Sequence, residues 1–201
     1  MKRLLLLISL LLLSLAVLGA SPIVFTENEI TVKDVDTIHI GACVNGASGP
    51  EALSVLTSTY SVEVRNFDAV ADEDVYAIWQ VPFDFTGTTV TFRVICWVTN
   101  ATGPSGKGVS FFLQGASIAD GELLSSAHGT AIESNFAAAT HSQYDRVATS
   151  WSSAVTLTGI AAGETCTLKL YRDVSDADDD YAQDIGVEAV QIKYQRALTN
   201  D

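Results

Sequence analysis

The stretch "RDVSDADDDYAQD", residues 172–184, gathers carboxylates at Asp173, Asp176, Asp178, Asp179, Asp180 and Asp184. Oxygen ligands at this density suit a hard cation such as calcium. Asp176, Asp178 and Asp180 have the alternate spacing that opens an EF-hand loop. The rest of that motif is missing. Tyr181 stands where the loop needs Gly, and Val187 where it needs a bidentate Glu. Two readings stay open. In one, the three aspartates hold calcium on a short hairpin, the one cofactor this sequence suggests. In the other the run is a solvated turn, because Asp caps its own backbone and charge runs stay in water. Arg172, at the strand end, is placed to tether such a turn.

Other chemistry is sparse. The histidines are His39, His128 and His141, and neither a G-x-S-x-G elbow nor an H-E-x-x-H motif is present. Among 24 acidic residues some pair will always lie at glycosidase distance, so carboxylate pairs discriminate nothing. The expectation is a protein without catalytic activity. Trp97 and Trp151 are candidate sugar platforms, since β-sandwiches often stack sugars on exposed aromatics. The alternative buries Trp97 under a loop and Trp79 in the core. Asn100, Ala101 and Thr102 form an N-glycosylation sequon in a turn. Cys96 shares parity with Val90, Phe92, Val94 and Val98, and Cys166 with Leu168 and Leu170. Both therefore point inward, as buried thiols or as a Cys96–Cys166 bridge. With Cys43 the cysteine count is odd, so at least one thiol stays unpaired within the chain.

The elements that would carry these residues are strands. "TYSVEVRNF", "VYAIWQV", "TTVTFRVICWVTN", "KGVSFFLQG", "AVTLTGI", "ETCTLKLYR" and "GVEAVQIKYQ" all alternate with period two. "FTGT", "ATGPSGKG", "IAAGET" and the aspartate run punctuate them. Short helices fit only near residues 50–56 and 120–127. Residues 115–143 are rich in Ala, Ser, Gly and Thr, and a structureless loop of that length is uncommon. A hidden short element, or a binding surface, is expected there. The fold class is all-β: an antiparallel β-sandwich of jelly-roll type.

The chain opens with Lys2 and Arg3, an apolar run over residues 4–18, then Gly19 and Ala20. This is the pattern of a secretory signal helix cut after Ala20, too short to span a bilayer. The expected organisation is a signal peptide over 1–20 and one domain over 21–201, with 21–43 as an N-terminal strand extension. A second apolar run of comparable length is not seen. The full sequence carries a formal charge of −13, and loss of Lys2 and Arg3 makes the mature chain more negative. Such a surface repels phosphate backbones and anionic bilayers, which argues against nucleic-acid partners.

From Val75 onward the order of features resembles jelly-roll modules of structural and fibre proteins from environmental bacteriophages. The resemblance is carried by "VYAIWQVPFDFTGTTVTFRVICWV", "ASIADGELLSSAHGTAI" and "GIAAGETCTLKLYRDVSDADDDYAQDIGVEAVQIKY". It spans about residues 75–195 and implies a β-sandwich in a structural or receptor-contacting role. Export adds a secreted or cell-surface location. Two functions follow as expectations. The first is a self-assembling surface or filament subunit, in which "SPIVFTENEITV" is donated to an open sheet edge of a neighbouring copy. The alternative for that segment is an ordinary edge strand of its own domain. The second function is a secreted, lectin-like or adhesin module that binds glycans.

Overall fold

Alternation becomes strand wherever turn residues bound it, and the computed structural model describes residues 31–56, 61–122, 127–136 and 140–197. Twelve strands follow in chain order: β1 (Thr31–His39), β2 (Val44–Asn45), β3 (Glu51–Leu56), β4 (Ser61–Phe67), β5 (Glu73–Gln80), β6 (Phe85–Trp97), β7 (Ser110–Ile118), β8 (Ile132–Asn135), β9 (Arg146–Ala148), β10 (Val155–Thr156), β11 (Thr165–Arg172) and β12 (Ile185–Ala197). They form two sheets. The larger has β10-β6-β12-β4-β3 in order, with β1 added to β12 and β9 to β6; the smaller runs β2-β5-β11-β7-β8. The strand pairs are antiparallel. This is the all-β sandwich that the period-two pattern predicts.

The inward residues of the two sheets make one core. Phe92, Val94, Cys96 and Ile192 come from the larger sheet; Val75, Trp79, Leu113, Leu168 and Leu170 come from the smaller. Phe67 and Phe111 meet edge to face across it, with centroids 5.5 Å apart. β12 carries a register shift between Val187 and Ala189. An extra residue in a strand re-aims its side chain. Here the extra residue, Glu188, takes the outer face, while Val187 and Ala189 both stay buried.

One sequence expectation is corrected outright and another only over residues 120–122. Residues 50–56 are not helical. Glu51–Leu56 pairs with β4 residue for residue, from Glu51↔Asn66 to Leu56↔Ser61. Edge pairing outweighs the helix propensity of "EALSVL" because strand preference is set by neighbours. Near residue 120 the chain turns: Glu122 N–H donates to Ala119 O, and Gly121 takes φ +85°. A left-handed residue has no place inside a helix, so residues 120–122 are a turn. Residues 123–126 lie outside the described residues.

The N-terminal extension divides likewise. Residues 1–20, read as the signal helix, and 21–30 lie outside the described residues. Thr31–His39 is an edge strand of its own domain, paired along its length with β12 from Thr31↔Ala197 to His39↔Ala189. Asp36 Oδ2 accepts the Trp79 indole N–H at 2.8 Å, and Arg196 donates to Asp34 at 2.8 Å. These bonds fix β1 to its own core. Donation of this part of the extension to a neighbour is therefore not what the fold shows.

Candidate functional site

The outer face of the smaller sheet is built from the polar parity of three strands. β5 presents Asp74, Tyr76 and Ile78; β11 presents Thr167, Lys169 and Tyr171; β7 presents Phe112 and Gln114. The register sets them side by side: Lys169 lies between Tyr76 and Gln114, and Tyr171 between Asp74 and Phe112. Their inward neighbours, Val75, Leu168, Leu170 and Leu113, are core residues. Strand geometry then leaves the outward set no choice but solvent.

A groove of about 390 Å³ opens on this face, walled by Val44, Tyr76, Ile78, Ile118, His128 and Thr167. That volume is within the usual range for small-molecule sites. Val44 and Ile78 are 71% and 70% exposed, and Tyr76 is 38% exposed. Grouped apolar side chains in water mark a contact surface. A second hollow of about 270 Å³, walled by Ser48, Asp72, Asp74, Lys169 and Tyr171, lies on the same strands.

Lys169 walls the second hollow and lies cross-strand from Tyr76, which walls the first. Its Nζ pairs with Asp74 Oδ2 at 2.9 Å, and lies 5.9 Å and 5.1 Å from the ring centres of Tyr76 and Tyr171. Burial works against the ammonium charge, but the Asp74 hydrogen bond and charge outweigh it and hold the pKa above its ordinary value. Phe112 stacks on Tyr171 with centroids 5.3 Å apart and planes 15° from parallel. His128 leans on Tyr76 and meets Thr167 Oγ1 at 3.3 Å. Burial, then the Lys169 charge, push its pKa below the ordinary value, so it faces the groove as neutral imidazole at neutral pH. The face thus joins flat aromatic surface to fixed donors and acceptors.

Neither candidate tryptophan belongs to this face. Trp97, on the outer side of the larger sheet, donates its indole N–H to Glu188 Oε2 at 2.8 Å. Arg146 donates to the same oxygen at 2.9 Å. Burial opposes ionisation of Glu188, but these two hydrogen bonds outweigh it and hold the carboxyl below its ordinary range. Trp151 lies under two cations, with Lys193 Nζ 4.0 Å and Arg93 Cζ 4.7 Å from its ring centre. The residues this face presents are instead Tyr76, Phe112, Lys169 and Tyr171, none of them a sequence candidate. The available signal was aromatic residues at outward parity on three strands that the register makes neighbours. Asn100 of the sequon donates to Gln183 Oε1 at 2.7 Å and accepts from Thr102 N–H at 3.0 Å.

The aspartate run does not converge on one point. Asp180 turns to Lys107 Nζ at 2.7 Å and Gly108 N–H at 2.8 Å. Those two bonds hold its carboxyl below the ordinary range. Asp173 and Asp176 accept from backbone N–H groups of Ser175 and Asp178, two residues on. Asp179 is the tether: both its oxygens receive Arg172 at 2.8 Å, and both side chains are buried. Tyr181, the residue that breaks the EF-hand pattern, is a core plug whose hydroxyl donates to Thr102 O at 2.7 Å. A cation-compatible grouping does form, from Glu133, Asp176 and Asp178, with carboxylate oxygens within 4.8 Å of one another. Asp180 is not in it, and Glu133 arrives from β8, far away in sequence. Three carboxylates are few for calcium, which takes 6–8 oxygens. Asp176→Asn with Asp178→Asn is expected to leave the denaturant midpoint unchanged in chelator. Calcium is expected to leave the melting temperature of the native chain unchanged too; a large calcium-dependent rise would assign a metal to the Glu133 grouping.

Cys43, Cys96 and Cys166 stand as buried free thiols. Burial raises the Cys43 pKa to about 11 and the Cys166 pKa to about 12, and raises Cys96 further. The thiolate is the reactive form. Native labelling of Cys96 and Cys166 is therefore expected to wait for unfolding; fast labelling by a small thiol reagent would contradict this burial.

No family model and no curated protein matches the sequence. Among solved structures, 77% of the chain aligns with a cycloisomaltooligosaccharide glucanotransferase of Paenibacillus sp. at 13% identity and TM-score 0.42, covering 18% of that enzyme. The cleaved adhesin domain of Lys-gingipain from Porphyromonas gingivalis aligns at 14% identity and TM-score 0.37, with 82% of this chain and 98% of that one covered. A family 11 carbohydrate-binding module of Clostridium thermocellum, solved with a mixed-linked tetrasaccharide, aligns at 8% identity and TM-score 0.33 over 86% and 92%.

Proposed function

We propose that this chain is a non-enzymatic, extracellular carbohydrate-binding β-sandwich, and that it takes a glycan across the outer face of the smaller sheet. The observation that carries the reading is the row Tyr76–Lys169–Tyr171, with Phe112 stacked behind it and a groove on the Tyr76 side. A sugar ring has apolar C–H faces and a rim of hydroxyls. It needs flat aromatic surface beside a few fixed polar groups, and such sites are mostly apolar with a small number of placed donors. Tyr76, Val44 and Ile78 supply the first; Lys169, Asp74, Thr167 and neutral His128 supply the second. The filament reading has less support: of its donor segment, residues 21–32, only Thr31 and Val32 are described, and both pair with β12 of their own sheet. The test is a screen of the folded chain against soluble and insoluble polysaccharides, repeated with Tyr76→Ala. Binding by the native chain and loss in the variant support the reading. Equal binding by both removes this face from it.

A further inference from the structure

Among the described residues the cations are Lys33, Arg65, Arg93, Lys107, Arg146, Lys169, Arg172, Lys193 and Arg196. Lys107, Arg146, Lys169, Arg172 and Arg196 each hold a carboxylate within 2.9 Å. Lys33, Arg65, Arg93 and Lys193 form no ion pair with a described residue. In a chain of charge −13 that is unexpected, since acids outnumber bases 24 to 11. Three of these four share one place, the outer face of the larger sheet. Lys193 on β12 lies cross-strand from Thr91 on β6, and Arg93 follows Thr91 at the same parity. Lys33 on β1 pairs with Gln195, two residues beyond Lys193.

The cluster has support of its own. Arg93 Nε donates to Gln191 Oε1 at 2.7 Å, which fixes the guanidinium and leaves its terminal N–H groups free of described partners. Trp151 offers its ring to Arg93 and Lys193. A π-face attracts a cation without neutralising it. Burial, then the charges of Lys33 and Arg93, push the Lys193 pKa below its ordinary value. The three cations are close enough to repel. A hollow of about 170 Å³ lies between Lys33, Thr89, Thr91 and Lys193. The Thr91 hydroxyl on its wall is buried with no hydrogen-bond partner among the described residues.

We infer that this patch is a second binding site, on the opposite face from the aromatic groove, for an anionic oxygen group such as the carboxylate or sulfate of an acidic sugar. Like charges held together without a counter-charge cost energy, and an arriving anion removes that cost. Arg93 brings terminal donors suited to two oxygens at once, and Lys193 and Lys33 bring point charges. The ligand carries sparse charge. Beyond the patch the protein is strongly negative and repels a dense polyanion. A largely neutral polysaccharide with occasional uronate side groups fits; free inorganic sulfate shares the chemistry. The inference does not depend on the Tyr76 face.

The test titrates the full chain by calorimetry, at low salt, with three probes: glucuronoxylan, the same polymer with its carboxylates reduced to alcohols, and inorganic sulfate. The native chain is expected to bind glucuronoxylan at least tenfold more tightly than the reduced polymer. Arg93→Gln with Lys193→Gln is expected to abolish that preference, and Arg65→Gln, which removes a distant unpaired charge, to preserve it. Sulfate binding that is lost in the same double variant, without a polymer preference, makes free anions the ligand. The inference is overturned if no anionic probe binds, or if Arg65→Gln weakens binding as much as the double variant. Tyr76→Ala lowers affinity for both polymers alike if the groove also binds the backbone, so failure of either site is read separately. Matching melting curves show that the variants are folded.

Discussion

Asp179→Ala is expected to destabilise the domain by about 3–5 kcal/mol, the usual cost of stranding one half of a buried ion pair. The Arg172 side chain is 0% exposed and that of Asp179 is 2% exposed. The guanidinium donates to both Asp179 oxygens and to the carbonyls of Phe67, Asp68, Tyr181 and Gln183. Every N–H of the fork is engaged. Those carbonyls belong to the end of β4 and to the return from the aspartate run into β12, so one side chain ties three chain segments together. Removing Asp179 leaves a cation in the core that only neutral carbonyls face. Arg172→Met is expected to be severe as well, because it strands Asp179 and orphans the carbonyls. The double change, Arg172→Met with Asp179→Ala, is expected to recover part of the loss, since a pair removed together leaves no charge behind. Urea denaturation of the variants measures all of this. An Asp179→Ala midpoint equal to that of the native chain would show that the pair is not what anchors the turn.

The second large effect is on binding. Tyr76→Ala is expected to weaken glycan binding at least tenfold, which is about 1.4 kcal/mol, while leaving stability nearly unchanged. Truncating a central aromatic anchor commonly costs more than 1 kcal/mol of binding energy. Tyr76 is half in water already, so the fold loses little packing. Lys169→Met is expected to weaken binding too, but through two routes: the lost donor, and an Asp74 carboxylate left without its partner at 2.9 Å. Val70→Ala serves as the control. Val70 is 83% exposed and does not line the groove. Affinity electrophoresis against the bound polysaccharide, with melting curves alongside, separates lost affinity from lost fold. A Tyr76→Ala chain that binds as tightly as the native one would move the site elsewhere.

Much of the architecture was written in parity. Alternation in "TCTLKLY" and "VTFRVICWV" marks which side of each strand is apolar, and a sheet with one apolar side must bury it against another. That fixes an all-β sandwich and buried positions for Cys96 and Cys166, while the place of Arg172 at a strand end made it a candidate tether for the aspartate turn. Failure of the EF-hand spacing was equally local, since Tyr181 and Val187 occupy required positions. Composition set the excess negative charge. Parity could not say which strands are neighbours. Pairing is non-local, and only register places Tyr76 beside Lys169, Phe112 beside Tyr171, or Glu133 within reach of Asp176. It also could not foresee the bulge that turns Glu188 outward to Trp97, nor which of the aspartates meets Arg172. Weak elements were lost for the same reason: "EALSVL" and "IESN" become strands only because β4 and β7 offer them an edge. The sequence by itself determined which side of each strand faces oil and which faces water. The tertiary structure alone decided which outward residues meet, because contact between strands depends on registers that no local pattern encodes.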